Sequence, residues 1–169
     1  MAGVFEVQGF GVLSDFNGEL LTAAAGDAMR DIAATHANAI SIVPRIFTQM
    51  YTSNDVISHP AKTESIANLA QAITEAHSLG LSVMLKPLLT PLDGRGQGSL
   101  APTDINAFFA SYQTQIVEYA RLAQATGVET LSIADTAAAL ARKLDIPPLL
   151  ADVLNNHGDL YFRQGDLKQ

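Results

Sequence analysis

The sequence contains no cysteine, which excludes disulfides, thiolate metal sites and a thiol nucleophile and leaves the redox compartment undecided. It is poor in basic residues, with ten Lys and Arg against seventeen Asp and Glu and a formal charge of −7. No basic stripe can neutralise phosphates, so nucleic acid is not an expected partner. No apolar run approaches the roughly 20 residues that span a bilayer, and no membrane partner is expected either. The N-terminus lacks the basic segment and apolar core of an ordinary secretory signal. Gly9 and Gly11 suggest a dinucleotide loop, but Ser14 stands where the third glycine belongs, which leaves a tight turn. His59, before Pro60, has no partner at ligand spacing, so neither a metal nor a cofactor is expected.

A hydrophobic content of 48% is ample for the core of one domain of ordinary size. Leu81 to Leu85 is a nearly continuous apolar run, as in a strand covered on both faces of a parallel sheet. It follows Gly80, a helix C-cap, and ends at Lys86-Pro87. The polar loop beyond, Leu88 to Pro102, is rich in Gly and Pro and carries Asp93 and Arg95. Parallel α/β folds place ligands at such carboxyl ends.

The same pattern recurs along the chain. Val4 to Val7 reads as a first strand, with Glu6 inside it. Ala25, Met29, Ile32, Ala33 and His36 follow at helical spacing, and Ala39 to Val43 is a second strand closed by Pro44-Arg45. A long polar loop runs from Ile46 to Lys62 and includes Gln49, Tyr51, Asn54, Asp55 and His59. Thr63 or Ser65 caps a second helix, with Ile66, Leu69, Ala70 and Ile73 as its buried stripe. Pro102-Thr103-Asp104 starts a third, whose face holds Ile105, Phe108, Phe109, Tyr112, Ile116, Tyr119, Ala120 and Ala123. Gly127 ends it, and Thr130 to Ile133 is a fourth strand. His36 and His77 are each placed in the last turn of a helix, where a cation meets the helix dipole. The unit of helix, glycine and strand predicts four parallel strands in spatial order 1-2-3-4, near 4–8, 39–43, 81–86 and 130–133. This is an α/β fold, a partial (β/α)8 TIM barrel of about four βα units.

After Ala134 the texture changes. Asp135 to Leu144 is alanine-rich, Pro147-Pro148 breaks it, and Leu149 to Arg163 reads as another helix. The division is therefore a half barrel over 1–134 and a helical tail over 135–169. Within the tail, Leu154 to Asp166 resembles the first helix of a tetratricopeptide repeat, with Gly158 and Tyr161 in place and His157 as a packing residue where leucine is usual.

Residues 3 to 134 resemble the family 113 glycoside hydrolases, TIM-barrel endo-β-mannanases. The resemblance is carried by Thr48-Gln49, by Ala76-His77-Ser78-Leu79-Gly80-Leu81 leading into Leu85-Lys86-Pro87, and by Gly94-Arg95-Gly96. Ser111-Tyr112, Tyr119-Ala120, Leu122-Ala123 and Gly127-Val128-Glu129 complete it. It implies a polysaccharide or oligosaccharide ligand, an extracellular location, and a substrate-binding site lined or braced by Gln49, Lys86 and Arg95, with Asp93 beside them. The family's fourth strand ends in a glutamate that serves as acid/base, and that place here reads Ala134-Asp135-Thr136. A threonine hydroxyl cannot hold and release a proton at neutral pH as a carboxyl does. Asp135 is the nearby carboxylate, and the nucleophile belongs to a later strand than any read here. Glycoside hydrolysis takes two carboxyl groups about 5–10 Å apart. The expectation is thus a glycoside-hydrolase-like barrel that is catalytically incomplete. The competing readings are a non-enzymatic helical interaction module, or a truncated or fused fragment without activity of its own. Half a barrel leaves strands one and four with free edges. Either the tail covers them or two chains pair as a homodimer, and the dimer is favoured.

Overall fold

The structure, a computed structural model, describes residues 7–132. Its strands are β1 (Gly9–Leu13), β2 (Ala39–Val43), β3 (Arg45–Thr48), β4 (Val56–Ile57), β5 (Ser82–Leu85), β6 (Leu88–Pro91) and β7 (Thr130–Leu131). The α-helices are α1 (Ala23–Ala34), α2 (Ile66–Ser78) and α3 (Ile105–Thr126). Strands β1, β2, β5 and β7 lie side by side in that order, every pair parallel. This is the predicted order, with a helix before each of β2, β5 and β7.

Local chemistry explains each helix. Thr22, Ser65 and Asp104 cap the three N-termini, their side chains accepting from the N–H of Ala25, Asn68, and both Asn106 and Ala107. Gly80 and Gly127 adopt φ of 77° and 75° just past α2 and α3, where a side chain would be strained. The core lies between the sheet and these helices. Ile40, Ile42, Val83, Leu85 and Leu131 face Met29, Leu69, Ile73, Phe108, Tyr112 and Tyr119. Each large apolar side chain there contributes about 1.5–3 kcal/mol by leaving water.

Several details depart from the sequence reading. Strand one is Gly9–Leu13; of the expected residues 4–8, Val7 and Gln8 fall before it and 4–6 lie outside the described residues, and Gly9 and Gly11 lie inside the strand instead of forming a turn. A Cβ on Gly9 would sit 2.2 Å from the Ala39 carbonyl oxygen, so this glycine lets two strands approach. His36 lies beyond α1 with φ of 64°, not in its last turn. Ile66 is 42% exposed; the buried stripe of α2 runs through Leu69, Ala72, Ile73 and Ala76.

The two segments read as long loops contain a second sheet, in the order β4-β3-β6. Strands β3 and β6 continue β2 and β5 without a change of register, since paired residues differ by 43 in both ladders. Pro44 and Pro87 are thereby opposite one another. Proline has no N–H to donate, so the ladder loses a bond there. The Lys86 N–H to Ile42 O (2.9 Å) and Leu88 N–H to Pro44 O (2.8 Å) bonds carry it across. Burial alternates along both extended strands: Pro44, Ile46 and Thr48 are buried, as are Pro87, Leu89 and Pro91. On the opposite, inward face Arg45, Lys86, Leu88 and Thr90 are half-buried, while Phe47 is buried, packed against His59.

Candidate functional site

The candidate residues gather at the carboxyl ends of the parallel strands. Lys86 follows β5 on the inward face, half-buried, with Ser132 N–H donating to Leu85 O (2.9 Å) on its far side. It belongs to the wall of the barrel. Asp93 and Arg95 belong to the rim, in the loop after β6, and the structure brings them together with Tyr51 from the loop after β3. Asp93 accepts from the Tyr51 N–H (2.9 Å) and the Arg95 N–H (3.1 Å). These bonds, Tyr51's foremost, and the Arg95 charge hold the Asp93 carboxyl below its ordinary value despite partial desolvation. The Arg95 guanidinium lies 4.0 Å from the centre of the Tyr51 ring, a cation–π contact. The carboxylate thus fixes two backbones while the guanidinium stacks. Gln49 is exposed on the same rim, immediately after β3.

Other candidates have structural roles. His59 packs edge-on against Phe47, with ring centroids 6.1 Å apart, and its Nδ1 accepts from the Ala61 N–H. Among the described residues no group of His, Asp and Glu could hold a metal ion. His77 Nε2 lies 3.3 Å from Glu129 at the opposite end of the barrel. Glu6, Asp135, Thr136, His157, the tail and its tetratricopeptide resemblance lie outside the described residues. Among those residues no helix is long and apolar enough to cross a membrane.

Two features escaped the sequence. Arg45 donates to Asp15 (2.6 Å), joining the ends of β1 and β2; the clue was an arginine directly after a strand-ending proline. Glu64, only 2% exposed, has four donors around it. Its Oε1 faces the Leu20 N–H (2.9 Å) and the Ser14 hydroxyl (3.1 Å), and its Oε2 the Gly18 N–H (2.8 Å) and Asn68 Nδ2 (3.0 Å). It fastens the turn after β1, which carries Asp15, to the start of α2. Nothing in Lys62-Thr63-Glu64-Ser65 signals a buried acid.

Comparison with known proteins gives one consistent result. The family model for Glycoside Hydrolase Family 113 matches residues 9–144. A solved family 113 β-mannanase from Alicyclobacillus acidocaldarius, in complex with ManMIm, is 24% identical with a TM-score of 0.72, over 82% of this chain and 47% of that one. A family 113 β-1,4-mannanase in a complex is 20% identical with a TM-score of 0.69, over 80% of this chain and 47% of that one. A further β-1,4-mannanase structure is 21% identical with a TM-score of 0.69, over 74% and 43%. The chain thus spans just under half the length of these solved chains, as a partial barrel does. No curated protein matches it significantly.

Proposed function

The chain belongs to glycoside hydrolase family 113, and on that footing we propose that its 169 residues bind a β-mannan-type oligosaccharide without cleaving it. The observation that carries this reading is the place of Lys86. It stands on the inward face at the carboxyl end of a parallel strand, where barrels of this class bind their ligands. Gln49, Asp93 and Arg95 extend the site along the rim, and the Tyr51–Arg95 stack gives that rim a flat, amphipathic surface. The solved chains of similar fold are β-mannanases, which supports a polysaccharide or oligosaccharide as ligand.

Catalytic incompleteness rests on Thr136, at the place the family gives to its acid/base glutamate, and on the need for a second carboxylate across the scissile bond. Asp15 and Asp93, two of the carboxylates described at this end, are each engaged: one by Arg45, the other by two backbone N–H groups.

Titration of the 169-residue chain with mannohexaose, by calorimetry and by reducing-end release, tests both parts. We expect saturable binding that Lys86→Ala weakens at least about fivefold, a hydrogen bond from a charged group being involved. We expect no reducing ends above a heat-killed control. No binding would overturn the carbohydrate reading. Hydrolysis that Asp135→Ala abolishes would show that Asp135 is the acid. Thr136→Glu alone is not expected to create activity.

A further inference from the structure

Asn17-Gly18 is the only asparagine–glycine step in the sequence, and such a step carries a reaction of its own. The Gly18 backbone nitrogen can attack the Asn17 side-chain carbonyl carbon, forming a C–N bond that closes a five-membered succinimide. The Cγ–Nδ2 bond breaks, and the amide leaves as ammonia with the proton of the Gly18 N–H. Water then opens the ring at one carbonyl or the other, giving aspartate or isoaspartate. Glycine favours the attack because it has no Cβ to shield its nitrogen and lets the backbone turn freely.

The fold restrains both reacting groups. Asn17 is exposed, so water reaches it, yet its amide is held at both ends. Its Oδ1 accepts from the Ser65 N–H (3.0 Å) and from Asn68 Nδ2 (2.9 Å), and its Nδ2 donates to the Pro60 carbonyl (3.2 Å). The Gly18 N–H, whose proton must leave, donates to Glu64 Oε2 (2.8 Å). Asn17 Cγ can swing over the Gly18 nitrogen only by leaving these bonds, so the reaction requires a local opening of the turn. The product does not fit the place it came from. A carboxylate at position 17 has no hydrogen for the Pro60 carbonyl. It would also face Glu64 across Asn68 Nδ2, the single amide group that now serves both residues, and like charges so placed repel. Isoaspartate would in addition lengthen the backbone of the turn by one methylene. We propose that Asn17-Gly18 is a latent modification site. The folded turn holds off conversion, and each opening of the Glu64 clamp exposes it to a change that then hinders the clamp from closing. The chain thereby keeps a covalent record of its own unfolding.

Peptide mapping by mass spectrometry tests this, following conversion at position 17 in mildly alkaline buffer and in guanidinium chloride above the unfolding midpoint. The chains compared are the wild type and Asn68→Ala, which removes one donor to Asn17 and puts a good helix former into the first turn of α2. Circular dichroism checks folding and measures global stability. Wild-type conversion should be at least about tenfold slower in the folded chain than in the unfolded one. Asn68→Ala, corrected for its global stability, should raise the folded-state rate roughly three- to tenfold, the worth of one net hydrogen bond, and leave the unfolded rate unchanged. Converted chain separated by ion exchange should melt at least about 3 °C below the unconverted chain. Equal rates in the two states, no conversion in either, an unchanged folded-state rate in Asn68→Ala, or a converted chain as stable as the original would each overturn the proposal.

Discussion

Replacing Glu64 with glutamine changes one oxygen to an amide nitrogen, yet it should be among the most damaging substitutions in the described fold. All four neighbours of this carboxyl can present hydrogens to it. A glutamine NH2 at the Oε2 position would confront the Gly18 N–H, which cannot accept, and the Asn68 amide, which could accept only by flipping and giving up its bond to Asn17 Oδ1 (2.9 Å). At the Oε1 position it meets the Leu20 N–H and the Ser14 hydroxyl, and the hydroxyl can rotate to donate to the Phe16 carbonyl (3.0 Å) instead. The second arrangement is cheaper and still orphans one buried N–H, at about 1–3 kcal/mol. The Gly18 and Asn68 bonds also lose their charge assistance, about 1 kcal/mol more. We expect a net loss of ~2–4 kcal/mol, or roughly 4–16 °C in Tm for a chain of this size. Urea and thermal unfolding followed by circular dichroism measure it, with an unchanged urea slope showing that stability alone has moved. A loss below about 1 kcal/mol would refute the reasoning, because desolvation of the carboxylate would then offset its hydrogen bonds.

Two further expectations follow from the rim and the edges. Because the Asp93 carboxyl is held below its ordinary value of 3.8, its contribution to stability is present above that value and is lost as pH falls through the depressed folded-state value. The amide resonances of Tyr51 and Arg95 should therefore shift together on acidification below about pH 4, and Asp93→Asn should abolish the transition; independent titration of the two amides would sink the link. Second, β1 and β7 each have a neighbour on one side only among the described residues, and Phe10 and Leu13 on β1 are 55% and 42% exposed. Light scattering at micromolar concentration should report a dimer, and a stable monomer would show that the edges do not pair between chains.

The repeating unit of helix, glycine and strand was legible because it depends on local chemistry: caps at Ser65 and Asp104, left-handed glycines at 80 and 127, and the 3.6-residue stripe of α3. That was enough for the strand order. What stayed hidden depends on partners distant in sequence. Gly9 and Gly11 look like a turn until Ala39 is placed beside them, and Pro44 and Pro87 look like strand ends until the shared register sets them opposite each other. Of the site, Lys86 and the nearness of Asp93 to Arg95 could be read directly. The Asp15–Arg45 pair needs the β1–β2 register, and the burial of Glu64 needs a turn 44 to 50 residues away.

The facing prolines also guard against a misassembled sheet. Sliding β5–β6 by one residue along β2–β3 would bring the odd-numbered positions of the moving strand round to supply the ladder hydrogens. Pro87 is one of these and has none to give, so the slipped pairing would lose a bond that the native pairing never asks for. The same slip would turn Lys86 away from the barrel interior and into the apolar layer beneath α2 and α3, where its charge would be stranded. A residue that contributes no hydrogen to the sheet, Pro87, thus helps decide how it is threaded, and a chain that has paired wrongly during folding has reason to let go and try again.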